Sequence, residues 1–252
     1  MNLVKENITN LTSLWRLVNQ RTEVYKPGET YDHGLVNYSN WPNRLWFHGD
    51  PDLKSINEAR AIIASASTKM TIPYWDIYQN ESYRLLEEAG FVKVLDQVGM
   101  SLELPKTYPL EVEIELQKVD NRASALRWEA LFEKAFNYTI SHRLLLKTCD
   151  TVDYLIAFHE GKAVGTVVLH YTRGAVVGIH SMGVIPEMRR KGYAEKMMHA
   201  VLSQAVGEAF AYATLQASAM GKGLYLKLGF KEQFLMSNYK LRQHISAADY
   251  NI

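Results

Sequence analysis

The chain has 252 residues, 47% of them hydrophobic, and its 28 basic and 27 acidic side chains leave a net charge of +1. That length and apolar content suffice for one large packed domain or two smaller ones, and the near balance of charge excludes the broad basic surface that nucleic acid or an anionic membrane demands. A single cysteine, Cys149, excludes an intrachain disulfide framework, no metal-ligand spacing of His and Cys occurs, and neither a sustained apolar leader nor a run of about 18 apolar residues is found; the expectation is a soluble cytoplasmic protein without a metal site.

In chain order, Leu45-Trp46-Phe47 runs into Gly49-Asp50-Pro51, Ile56 to Ala66 reads as a helix and Met70 to Trp75 as a strand. Leu85 to Lys93 reads as a helix end, a stop at Gly90 and a new strand opened by Phe91. Trp41, Trp46 and Trp75 are expected to pack in a core or between domains. Two prolines in Leu104-Pro105-Lys106-Thr107-Tyr108-Pro109 mark an extended linker, which divides the chain into units 1–105 and 111–252.

In the second unit, Val112 to Leu116 alternates as a strand, and Ala125, Trp128, Leu131, Phe132 and Ala135 share one helical face. His142 to Lys147 suits a second short helix. Tyr154 to Phe158 and Val164 to Tyr171 flank a hairpin turn at Glu160-Gly161-Lys162, and Arg173-Gly174 turns the chain into a β-rich run from Ala175. That run enters Val184-Ile185-Pro186-Glu187-Met188-Arg189-Arg190-Lys191-Gly192-Tyr193-Ala194. A helix follows, with Ala194, Met197, Met198, Val201, Leu202 and Ala205 on one face. The first turn of such a helix leaves main-chain N–H groups unpaired at the positive end of the macrodipole, Gly192 permits close approach, and Arg189, Arg190 and Lys191 add charge; this is an anion site. Leu224 to Glu232 can be laid over Leu85 to Lys93 without a gap, so the first unit reads as a diverged copy of the second. The copy lacks the phosphate turn: Asp52 to Glu58 holds two acids, one Lys and no Gly, and Leu86 stands where the second unit has Tyr225.

Arg189-x-x-Gly192-x-Ala194 after Val184-Ile185-Pro186, followed by Leu215-Gln216-Ala217-Ser218, Gly221 and Leu224-Tyr225-Leu226-Lys227-Leu228-Gly229-Phe230, resembles the signature of the GCN5-related N-acetyltransferase (GNAT) superfamily over residues 111 to 243. The resemblance implies an α/β fold with a mixed central sheet, in which a bulge splays the fourth strand from the fifth and a pantetheine arm enters the gap. It also implies acetyl-CoA as co-substrate and transfer of its acetyl group to a primary amine by direct attack in a ternary complex.

On this reading the amides of Arg190, Lys191, Gly192, Tyr193 and Ala194 bind pyrophosphate, with Arg189 beside them. Exposed backbone at Met182 and Val184 pairs with pantetheine and polarises the thioester. Tyr225 holds the family's usual position for the acid that serves the departing thiolate, and Ser218 caps its helix or touches the cofactor. A carboxylate often found in the family on the fifth strand is absent from Tyr212-Ala213-Thr214-Leu215-Gln216. His180, whose imidazole titrates near neutrality, is the candidate base, and a water-mediated route to His170, Tyr171 or Glu160 is the other. Two alternatives stand beside this reading: a non-catalytic acyl-CoA-binding regulatory module, and a protein or peptide acetylase with the first unit as its recognition surface.

Overall fold

Leu11, Leu14, Trp15 and Val18 form the apolar stripe of a first helix, α1 (Leu3–Thr22), and Asn7, Asn10 and Asn19 are buried on that same stripe. The computed structural model describes residues 1–22, 24–108, 113–172 and 175–245. After α1, strands β1 (Val24–Lys26), β2 (Tyr31–Leu35) and β3 (Arg44–Phe47) form a small antiparallel sheet. Helix α2 (Leu53–Ser65), strand β4 (Ile72–Trp75), helix α3 (Tyr83–Glu88) and the long strand β5 (Phe91–Glu103) complete the N-terminal half.

The C-terminal half follows as β6 (Glu115–Lys118), α4 (Arg122–Phe136), α5 (His142–Thr148), β7 (Asp153–His159), β8 (Lys162–Thr172) and β9 (Val176–Val184). Then come α6 (Tyr193–Gly207), β10 (Tyr212–Ala217), α7 (Lys222–Lys227) and β11 (Lys231–Leu241). The expected helices and the hairpin lie where the periodicity put them. Glu160 and Gly161, at φ of 48° and 74°, make the left-handed turn that a two-residue hairpin loop needs. The strand expected over 112–116 is found at Glu115–Lys118, with Val112 outside the described residues, as are the Arg173-Gly174 turn, Pro109 of the linker and the chain beyond 245.

Among the described residues eight strands join in one mixed sheet in the order β4-β11-β5-β10-β9-β8-β7-β6, in which only β9 and β10 pair in parallel. Helices α1, α4 and α5 cover one face, through Trp15, Trp128, Phe132, Tyr154 and Val168. Helix α6 covers the other, with Met198, Val201 and Leu202 over Leu155, Val167 and Ile179. Ile56 and Ile63 of α2 pack with Ile72 and Tyr239. Among the described residues no helix is long and apolar enough to cross a membrane.

The two units therefore contribute to a single sheet: β5 is hydrogen-bonded between β10 and β11. The central ladder is nearly symmetric. Gly90 and Gly229, which end α3 and α7 at φ of 88° and 90°, are 139 residues apart. The ladder's two irregularities leave Val94 of β5 and Gln233 of β11 without opposite numbers, and these too are 139 residues apart. An approximate two-fold axis thus passes between β5 and β11, and it brings β4 against β11 as β10 lies against β5.

Helix α1 is fastened across this sheet by buried polar contacts. Asn7 donates to the carbonyls of Met100 at 3.0 Å and Leu215 at 3.4 Å, and Asn10 donates to the His170 carbonyl at 2.9 Å. Ser13 Oγ lies 2.9 Å from His170 Nε2, and Asn10 Oδ1 lies 2.9 Å from His180 Nε2. Burial of both rings disfavours the charged imidazolium, moving His170 down to about 4 and His180 to about 3 from the ordinary 6.5.

Two outcomes follow from this packing. Residues 111–252 expressed alone should give no cooperative thermal transition, because β10 and β11 then lack the strand between them, and co-expression with residues 1–105 should restore one; a cooperative melt of 111–252 by itself would contradict it. Below the ordinary histidine pKa of 6.5 the unfolded chain takes up protons that folded His170 and His180 refuse, so stability is full above that pH and falls towards about 4. At pH 5 the loss is up to about 2 kcal/mol for each ring. A His170→Gln/His180→Gln double variant should therefore show a shallower fall in Tm between pH 7 and 5 than the parent.

Candidate active site

Strand β9 pairs with β10 at only three positions, Val176, Val177 and Gly178 against Tyr212, Ala213 and Thr214. Beyond Gly178 it bends away. Ser181 lies at φ of 49°, and Ser181 and Met182 together face the single residue Val167 of β8, which is a bulge. Residues 176–180 are buried, whereas 181–184 are half-exposed where the strand leaves the sheet. Gly183 permits this course, since a Cβ there would collide with the Phe136 ring of α4. The result is a gap between the second half of β9, which stays paired with β8, and the end of β10, bordered on that side by backbone that β10 does not pair. Met182 and Val184 lie on this border, with side chains packed towards Met197 and Ala200 of α6.

After β9 a single 3-10 turn, Pro186–Met188, leads to two left-handed residues, Arg190 at φ of 62° and Gly192 at 79°. Gly192 is the N-cap of α6; it offers no side chain, and among the described residues no hydrogen bond engages the amides of Tyr193, Ala194 or Glu195. A bare helix start of this kind presents oriented donors to an anion. The counterpart helix α2 is closed: Asp52 Oδ1 accepts from the Ser55 amide at 2.8 Å, and Ser55 Oγ accepts from the Asp52 amide at 3.1 Å. The Ser55 amide also holds the Asp52 carboxyl below its usual range, so a negative charge already occupies that end.

The basic side chains of the turn divide their work. Arg189 is exposed and folds back along the surface, donating through Nε to the Val184 carbonyl at 3.1 Å and through a terminal nitrogen to the Ala135 carbonyl at 2.8 Å, and so braces β9 against α4. Lys191 donates to the Glu187 carbonyl at 3.0 Å. Arg190 is exposed and makes no hydrogen bond or ion pair among the described residues. Tyr193 stands edge-on to His159 with ring centres 5.1 Å apart.

At the other side of the gap, Ser218 ends β10 and turns the chain into α7: its carbonyl accepts from Lys222 at 3.0 Å and its Oγ from the Gly221 amide at 3.4 Å. The Tyr225 ring is buried in the cluster that holds Met182 and Ala217, 5.8 Å from Phe230. Its hydroxyl makes no hydrogen bond among the described residues, yet it is not sealed from solvent. Burial pushes its pKa up to about 12, so the phenol keeps its proton at any physiological pH.

His180 lies on the opposite face from Tyr225, beneath α1 and 8% exposed. Its depressed pKa leaves it neutral but makes it a weak base. Gln216 approaches it from β10, and Gln216 Nε2 donates to Asn7 Oδ1 at 2.6 Å. Asn7 and Asn10 thus meet Gln216 of β10 and His180 of β9 from the α1 side, a contribution that motif reading misses. The available signal is their position on the apolar stripe of α1, where an amide is costly unless it is hydrogen-bonded. Among the described residues no group of side chains could hold a metal ion.

Comparison with known proteins agrees with this geometry. Residues 122–230 match the acetyltransferase (GNAT) family. Among solved structures the chain is similar to a GCN5-related N-acetyltransferase from Kribbella flavida, with 14% identity, a TM-score of 0.69 and coverage of 93% of this chain and 94% of that one. A GCN5-related N-acetyltransferase from Sphaerobacter thermophilus is 17% identical with a TM-score of 0.60, covering 87% and 79%. A GCN5-related N-acetyltransferase-like protein from Streptococcus suis is 13% identical with a TM-score of 0.54, covering 95% and 98%. At such identities the likeness is one of fold, and it embraces both halves. No curated protein matches the sequence. Residues 122–230, with the splayed β9, the bare start of α6 and Tyr225 on α7, are a domain of the GNAT acetyltransferase family.

Proposed function

We propose that this chain is an N-acetyltransferase that moves the acetyl group of acetyl-CoA to a primary amine, by direct attack with both substrates bound. One arrangement supports the reading: the uncapped helix start at Gly192 follows the stretch of β9 that β10 does not pair, and Tyr225 packs in the same cluster as Met182 of that stretch. An anion, a chain of amides and a sulfur each find a matching partner there, so the residues fit the cofactor. Bound acetyl-CoA would supply an activated acyl group and a thiolate leaving group.

In this proposal the amides of Tyr193 and Ala194, with Gly192 left open and Arg190 nearby, hold the pyrophosphate. Arg189 and Lys191 keep the turn in shape. Backbone at Met182 and Val184 orients the thioester and polarises its carbonyl. Ser218 fixes the start of α7 and hence the place of Tyr225. A phenol that holds its proton to about 12 is a weaker acid than an ordinary thiol of about 8.5, so Tyr225 donates a hydrogen bond to the forming thiolate rather than passing its proton fully across. His180 is assigned a positioning role with Asn10 and Gln216, and the amine enters already neutral from solvent. Units 1–105 and 111–252 are proposed to divide the labour, the first shaping the acceptor side and the second holding the cofactor.

The reading as a non-catalytic acyl-CoA-binding module is favoured by one feature, the neutral His180 and Gln216 pair where a titrating base would serve. Thiol release from acetyl-CoA across a panel of amines separates the two, since binding without release supports the module. Tyr225→Phe should lower kcat by about 10- to 100-fold, the worth of a hydrogen bond to a charged group, and leave the Kd for CoA unchanged; unaltered kcat would remove Tyr225 from the chemistry. Gly192→Asp should weaken CoA binding at least about tenfold, because it adds an anion and an L side chain at a left-handed position. With no neutral-range base and a phenol that ionises only near 12, log kcat/KM should climb with pH to the acceptor's own pKa and show no descending limb below about pH 10.

A further inference from the structure

Helix α6 carries, at its third position, the residue type that often closes a helix start. Gly192 is the N-cap, Tyr193 and Ala194 follow, and Glu195 is the acid of the first turn. A Glu at this position commonly turns back to accept from the N-cap amide. The counterpart helix shows that outcome, since Ser55, third in α2, accepts from the Asp52 amide at 3.1 Å.

In α6 the corresponding side chain faces the other way. Lys227 Nζ donates to Glu195 Oε1 at 2.7 Å and to Oε2 at 2.8 Å, and among the described residues no hydrogen bond engages the Gly192 amide. The Lys227 hydrogen bond also holds the Glu195 carboxyl below its usual range, so it is ionised at neutral pH. His199 of α6 stands at the margin of the pair, with Nε2 3.9 Å from Oε1 and Nδ1 2.8 Å from the Tyr108 hydroxyl. Lys227 shares α7 with Tyr225, so the pair joins the helix that offers bare amides to the helix that carries the phenol. Glu195 is half-buried and Lys227 exposed, and an ion pair so placed contributes little to folding. What it does fix is the place of a negative charge. A carboxylate turned back onto the start of α6 would satisfy its donors and repel another anion.

We propose that Lys227 is a positioning residue for the cofactor: it draws the Glu195 carboxylate onto α7, which keeps the start of α6 from capping itself and leaves it open to the pyrophosphate of CoA. This inference deepens the transferase reading and rests on it, because the anion concerned is the cofactor's own.

The test is the Kd for CoA, measured by isothermal titration of the full chain at low ionic strength. Lys227→Met releases Glu195 to the helix start and should raise Kd about twofold to fivefold, the worth of one charge at a helix terminus. Glu195→Gln removes the resident anion and should lower Kd by a similar factor. Lys227→Arg should keep the parent value, and the double variant E195Q/K227M should fall between the two single ones. Each difference should shrink in about 0.5 M salt, where screening acts over a few ångströms. A pair that served the fold alone would move both single variants in the same direction, since each breaks the same bond. A shift of both in one direction, or of neither, would therefore overturn the role of Lys227, and a parent that still binds CoA would then leave the transferase reading standing. A parent that binds no CoA would sink that reading and this inference together.

Discussion

A strand that leaves its parallel neighbour after three residue pairs must find other partners for its backbone, and this requirement organises the C-terminal half of the molecule. Strand β9 cannot rejoin β10, because Ser181 in the left-handed region and the Phe136 ring beside Gly183 hold it aside, while Arg189 ties its end to α4. Packing between α4 and the sheet thus keeps the second half of β9 apart from β10 in a half-exposed position.

The same supersecondary order occurs twice in the chain, and the two occurrences have opposite fates. In the N-terminal half the helix start is sealed by Asp52 and Ser55, and Leu86 occupies the position that Tyr225 has in the other. The mouth of that half is closed further by Asp50, bonded to Asn80 and Ser82, with Tyr74 3.0 Å from Ser82. One scaffold therefore carries a site with open donors and a counterpart whose donors are satisfied internally. Their union through β5 and β11 makes the N-terminal half a structural necessity for the C-terminal one, since β10 without β5 has only a short parallel partner.

Local features of the site were legible in the residues because each depends on a short stretch of chain. The turn from Val184 to Ala194, the helix after it and the Gly229-Phe230 stop have strong periodicity or left-handed glycines, and they lie where the pattern puts them. What the pattern could not reveal are contacts made between distant segments. Nothing in Phe91 to Glu103 indicates that this strand lies between two others from the opposite end of the chain; its alternation is the same for any buried neighbour. His180 reads as a titrating group until α1 is laid over it, and the desolvation that makes it a weak base comes from a helix 170 residues away. Arg189 reads as a phosphate ligand, and two of its five side-chain donors go to carbonyls of β9 and α4, contacts that no motif announces.

The seam made by α1 has a bearing on biogenesis. Asn7 reaches partners 93, 208 and 226 residues further along the chain, so α1 leaves the ribosome long before its seat exists. Throughout synthesis its stripe of Leu11, Leu14, Trp15 and Val18 lacks the strands it will cover. Contacts of such long sequence separation slow folding and keep apolar surface available to other nascent chains. A protein built in this way ties the completion of its gap to the completion of its translation: a truncated product carries the helix but not the strands on which it must rest.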